Sequence, residues 1–117
     1  MLNLTPGQLQ PFKITGGWKV MWNHFRDIDI ETLDPNQLDD WLFLVEDITY
    51  IIRDDKHKAN HICVDLGWYP EADPNGTFTL YVIQNQDWEK PLESFSSRSV
   101  REIAEKMGDF LQKYITK

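Results

Sequence analysis

Alternating apolar and polar positions mark the start of the chain. Phe12 and Ile14 are separated by polar neighbours and Gly16-Gly17 interrupts. Trp18, Val20 and Trp22 then share one side, with Lys19, Met21 and Asn23 on the other. A period of two predicts extended chain. The glycine pair is a tight hairpin turn or a bulge within one long strand, with a hairpin or a sharply bent strand preferred. After an acidic linker the period changes. Asp34 suits an N-cap and Pro35 the first helical position, where its missing N–H costs nothing. Leu38, Trp41, Leu42, Val45, Ile48 and Ile52 follow mostly at spacings of three and four. That stripe predicts a core-facing helix running to about Arg53, with Asp39, Asp40, Glu46 and Asp47 on its wet side. It ends in the charged turn Asp54-Asp55-Lys56-His57-Lys58.

Period two returns over 60–68, where Ile62, Val64 and Leu66 alternate with His61, Cys63 and Asp65, and over 77–84, where Phe78, Leu80 and Val82 alternate with Thr77, Thr79, Tyr81 and Ile83. The turn formers between them, ending in Asn75-Gly76, make the pair an antiparallel hairpin with a long loop. Residues 85–97 read as an irregular crossover in which Trp88, Pro91, Leu92 and Phe95 pack. Ser99 caps the last helix, Glu102 completes a capping box, and Val100, Ile103, Met107, Leu111 and Tyr114 form its buried stripe. The expectation is a single α+β domain over 1–117: an antiparallel β-sheet covered by two α-helices, in the order β(β)αββα.

Composition adds weight to the core. The 117 residues include five Trp, six Phe and four Tyr, and each such ring can bury roughly 150–250 Å². A single cysteine, Cys63, excludes an intramolecular disulfide and fits a reducing compartment. The first residues lack the basic and apolar regions of a secretion signal, and no window approaches the ~20 apolar residues of a membrane span. The expected location is the cytoplasm.

Charge changes the picture more. Ten of the nineteen acidic residues fall within 27–55 against one base, Arg53, so that segment carries −9 of a total of −7; the first 26 residues carry +3 and residues 56–117 carry −1. A local negative field repels nucleic acid and membrane phosphates and steers basic proteins inward. A solvated helix face is the plainer account. However, Asp39-Asp40 and Glu46-Asp47 forgo the i,i+4 cation partners that would support a helix, which tips the balance towards a binding surface.

Catalytic patterns are weak. His57-x3-His61-x-Cys63-x-Asp65 is the one metal-like spacing, but alternate strand positions lie about 7 Å apart, which is awkward for a tetrahedral zinc site. A polar strand face with a packed cysteine is favoured, and no motif supplies an oxyanion hole. The carboxylates sit on a linker and an outer helix face, where solvation keeps them ordinary, and no phosphate-cradling loop occurs. Asp27-x-Asp29-x-Glu31 lacks the glycine that turns a calcium loop. Basic residues are too sparse for phosphate recognition. Trp41, Trp18 and Trp22 are expected to pack, Trp68, Tyr69 and Trp88 to be partly exposed.

Three runs, Gly16-Gly17-Trp18-Lys19-Val20-Met21-Trp22-Asn23-His24-Phe25, Asp65-Leu66-Gly67-Trp68-Tyr69-Pro70 and Ser96-Ser97-Arg98-Ser99, resemble those of small bacterial immunity proteins encoded beside polymorphic toxins, including toxins of contact-dependent growth inhibition. The resemblance spans nearly the whole chain. It implies a cytoplasmic protein without catalysis or cofactor that binds one cognate toxin domain, typically a nuclease with a basic active-site surface. Charge and exposure select the partner-binding candidates: Asp27, Asp29, Glu31, Asp39, Asp40, Glu46 and Asp47 for steering and rim pairs, Trp68 and Tyr69 as a hydrophobic anchor. Two alternatives stand beside this: a small metal-dependent hydrolase using His57, His61 and Cys63, and a regulatory adaptor without a toxin partner.

Overall fold

A computed structural model describes residues 8–14, 16–53 and 61–114. Five strands form one antiparallel meander: β1 (Trp18–Asn23), β2 (Thr49–Arg53), β3 (Ile62–Tyr69), β4 (Thr77–Gln84) and β5 (Glu93–Ser97), each paired with its neighbour in sequence. The helix α1 (Val100–Lys113) follows, and two 3₁₀ turns, Ile30–Thr32 and Leu38–Trp41, lie between β1 and β2.

The two central strands behave as their alternation predicts. Val64 pairs with Val82, Leu66 with Leu80 and Trp68 with Phe78, so the large apolar side chains share one face. Onto that face α1 lays Val100, Ile103, Ala104, Met107, Phe110 and Leu111, all buried. Phe25, Ile30, Trp41 and Leu44 complete the core from the segment before β2. Burying each large apolar side chain contributes about 1.5–3 kcal/mol, so the seam between α1 and the sheet dominates stability. The Ser99 hydroxyl accepts from the Glu102 N–H as expected of a cap. The Glu102 carboxylate does not return the bond to Ser99. It accepts from the Ser97 hydroxyl at 2.8 Å, and that hydroxyl accepts from the Ser99 N–H at 3.0 Å.

Residues 34–53 depart from the expected helix. The described residues contain one α-helix, not two, and the order is five strands followed by that helix. Asp34-Pro35-Asn36-Gln37 closes a turn instead: the Gln37 N–H reaches the Asp34 carbonyl at 3.0 Å, and the Asp34 carboxylate accepts from Asn36. Aspartate followed by proline serves a turn as well as a helix start. Beyond it, Ile48, Thr49, Ile51 and Ile52 are β-branched and stiff, which favours strand. Thr49 and Ile51 are buried while Tyr50 and Ile52 are half-buried, a period of two. The expected helical stripe also fails at the surface, where Leu38 is 60% and Leu42 57% exposed.

Other departures are smaller. The crossover at 85–97 contains β5, whose Phe95 sits opposite Leu80. Gly16-Gly17 forms a turn, with Gly17 at φ +98°, ahead of a single strand; no described residue before it pairs with β1 as a hairpin. A register shift between Val20 and Trp22 sets Trp18 opposite Arg53 but Trp22 opposite Tyr50. The two tryptophans therefore take opposite faces, because an odd residue flips everything after it. Trp18 packs and donates to the Leu111 carbonyl at 2.9 Å, while Trp22 stays exposed. The turn expected at 54–58 lies outside the described residues.

Candidate functional site

The acidic segment is displayed in three places. Asp27, Asp29 and Glu31 surround the first 3₁₀ turn and line a groove of about 540 Å³ whose other wall is Arg98, just before α1, with Arg101 and Glu102 in its first turn. The Asp29 carboxylate caps that turn by accepting from Glu31 N–H. The groove's basic side is already engaged: Arg98 Nε pairs with Glu31 at 2.8 Å, and its Nη1 donates to the carbonyls of Pro74 and Gly76. Arg98 is a structural clamp joining three segments.

Asp39 and Asp40 occupy the second 3₁₀ turn, exposed between the exposed Leu38 and Leu42. The turn thus displays two carboxylates and two apolar side chains side by side to solvent. Among the described residues, Glu31 is the one member of the seven acidic candidates held in an ion pair.

Glu46 and Asp47 lie elsewhere, beside the sheet face turned away from α1. A Cβ at Gly67 would overlap the Glu46 carbonyl oxygen, so only glycine lets this segment press onto β3. The Tyr69 hydroxyl points to the same carbonyl at 3.5 Å. Tyr69 is half-buried with its ring 6.1 Å from that of Tyr81, and burial first, then the Asp65 charge, pushes its hydroxyl up to about 12. Trp68 is a correction. It is fully buried on the helix side, because strand alternation carries it there with Leu66 and the loop 70–76 folds back to take its indole N–H on the Asp73 carbonyl at 2.8 Å. It cannot serve as an exposed anchor. Trp88, at 47% exposed, is open as expected of its ring, but it and the exposed Leu92 depart from the packed crossover expected over 85–97, where Pro91 and Phe95 are half-buried.

The residue that reasoning from the pattern passed over is Asp65. It is 4% exposed, and burial followed by the nearby Asp47 charge raises its carboxyl from 3.8 to about 7. The alternation of 61–65 marked it as facing the polar side. Its cross-strand neighbours are Tyr50 and Tyr81, and a helix running to about Arg53 would leave Tyr50 away from it.

Of the hydrolase candidates the structure describes His61 and Cys63. Cys63 is fully buried and burial pushes its thiol up, away from the reactive thiolate. The His61 backbone N–H bonds to the Asn85 side chain at 2.9 Å, His57 lies outside the described residues, and no described cluster of His, Cys, Asp and Glu could hold a metal ion. Among the described residues no helix is long and apolar enough to cross a membrane. No protein-family model, no curated protein and no solved structure matches the chain.

Proposed function

We propose that this domain is an immunity protein that binds a cognate toxin domain with a basic surface, in the cytoplasm, and neutralises it by covering its active site. The observation that carries the proposal is the set of exposed carboxylates at Asp27, Asp29, Asp39, Asp40, Glu46 and Asp47, none ion-paired among the described residues. A folded domain gains little from leaving such charges uncompensated, whereas a basic partner gains association rate and selectivity from them. Leu38 and Leu42 replace Trp68 as the apolar contribution, since they stand exposed beside Asp39 and Asp40. The reading requires no cofactor and no metal.

The test is capture of the protein encoded by the neighbouring toxin gene, followed by growth rescue of cells expressing it. Asp39→Lys with Asp40→Lys should weaken capture and lose rescue. Full rescue by that variant would remove the acidic surface from the mechanism. The alternatives, a hydrolase or a regulatory adaptor, predict no rescue by the unmodified protein.

A further inference from the structure

The sheet face turned away from α1 carries an arrangement that the exposed acids do not account for. By register, Asp65 on β3 lies between Tyr50 on β2 and Tyr81 on β4, and Tyr69 follows four residues along the same face. Gly67, the position between them, has no side chain and is covered by Glu46 backbone. Tyr50 stacks on Trp22 with centroids 5.0 Å apart, and Tyr69 meets Tyr81 edge-on. All three tyrosines are half-buried, while Asp65 is 96% buried. No described ion pair or hydrogen bond involves the Asp65 carboxylate. Its oxygens are not sealed off, since among the described residues the one enclosed side-chain nitrogen or oxygen without a partner is Arg26 Nε. The one described helix packs on the other face.

An unpaired buried carboxyl is unfavourable unless something satisfies it. Tyr50 and Tyr81 flank this one by register, Tyr69 lies further along the same face, and Asp47 adds a second negative charge, so the partner this setting favours is a cation. A guanidinium fits better than an ammonium, because it is planar, stacks on aromatic rings, is weakly hydrated and grips a carboxylate with two donors. We propose that Asp65, Tyr50, Tyr69 and Tyr81 form a receptacle for one arginine side chain of the basic protein partner. The existence of that partner rests on the function proposed above; the receptacle itself does not.

Of the titratable groups on this face, those next to Asp65, namely Asp47 before β2, Tyr50 on β2, Cys63 and Tyr69 on β3 and Tyr81 on β4, supply no positive charge. Lys19 on β1 and His61 just before β3 share the face further along it. With the carboxyl titrating at about 7, arginine binding is strengthened as the proton leaves. Affinity therefore rises about tenfold from pH 6 to pH 8 and flattens above that.

The experiment is an NMR titration of the full chain with N-acetyl-argininamide, using N-acetyl-lysinamide and N-acetyl-citrullinamide for comparison. The expected result is saturable movement of the Tyr50, Tyr69 and Tyr81 ring signals by the arginine probe, tenfold tighter at pH 8 than at pH 6. Citrulline, which lacks the charge, should give none. Asp65→Asn and Tyr81→Leu should each abolish the saturable response, while Asp39→Lys with Asp40→Lys keeps it. Unmoved ring signals, an equal response in Asp65→Asn, or equal binding of the lysine probe would each overturn the proposal. If a captured toxin binds Asp65→Asn unchanged but loses Asp39→Lys with Asp40→Lys, the receptacle fails and the immunity reading stands. If no toxin is captured yet the probe binds, the immunity reading fails and the receptacle stands.

Discussion

Asp65 makes the fold answer to pH. Its carboxyl is raised in the folded chain from 3.8 to about 7, so the folded state holds a proton that the unfolded chain releases. Its contribution to stability is full below about pH 4 and is lost as pH rises through about 7. Replacement by asparagine removes that slope. Urea unfolding at pH 4.5, 6 and 8 should show the Asp65→Asn variant gaining on the parent by on the order of 1–3 kcal/mol across the range; a constant difference would contradict the assignment. Arg98 has the opposite character. It joins Glu31, the loop carbonyls of Pro74 and Gly76 and, 5.4 Å above it, the Trp68 ring. Arg98→Ala should destabilise by about 2–3 kcal/mol. Arg98→Lys should recover little, because one ammonium cannot reproduce a fork that spans three acceptors.

The elements most legible in the sequence were those whose signals are local. Alternation specified β3 and β4, and Ser99 with the stripe from Val100 to Leu111 specified α1. Ser99→Ala should cost about 1 kcal/mol in thermal or urea unfolding, since the Glu102 N–H loses its acceptor. Over residues 34–53 the expected stripe Leu38, Trp41, Leu42, Val45, Ile48 and Ile52 shares only Trp41 and Ile48 with the buried apolar side chains, Trp41, Leu44, Ile48 and Ile51, and both sets are spaced mostly by three and four. Periodicity alone could not separate a helix from a turn followed by a strand; pairing with β3 decides it. β5 carried one large apolar residue, Phe95, and so gave no alternation to read. The acids of the candidate surface were legible as solvent-facing whatever element held them, but the company Asp65 keeps depends on strand register. Gly67 fixes part of that company. Gly67→Ala would drive a methyl group into the Glu46 carbonyl, and the expected outcome is a loss of several kcal/mol with displacement of Glu46 and Asp47, visible in their amide signals.

Over the whole molecule the charge is local, and the sheet is a simple meander. If the proposed basic toxin partner exists, reversing Asp39 and Asp40 should lower the association rate with it by on the order of tenfold or more at low salt and much less at high salt, because screening removes the steering field. Truncating Leu38 and Leu42 to alanine should act on the dissociation rate instead, leaving the salt dependence intact; stopped-flow association at several ionic strengths separates the two. Each strand pairs with the next in sequence, while part of the cover for the apolar face comes after them all, in the fourteen residues of α1. Phe25 and Trp41 already lie on Phe78 and Trp68 from the segment before β2, but the rest of that face stays bare until α1 docks. The folding chain thus passes through a sticky interval that closes only when the helix swings home. A change that loosens α1 without touching the sheet, such as Met107→Ala, should lengthen that interval and lower soluble yield.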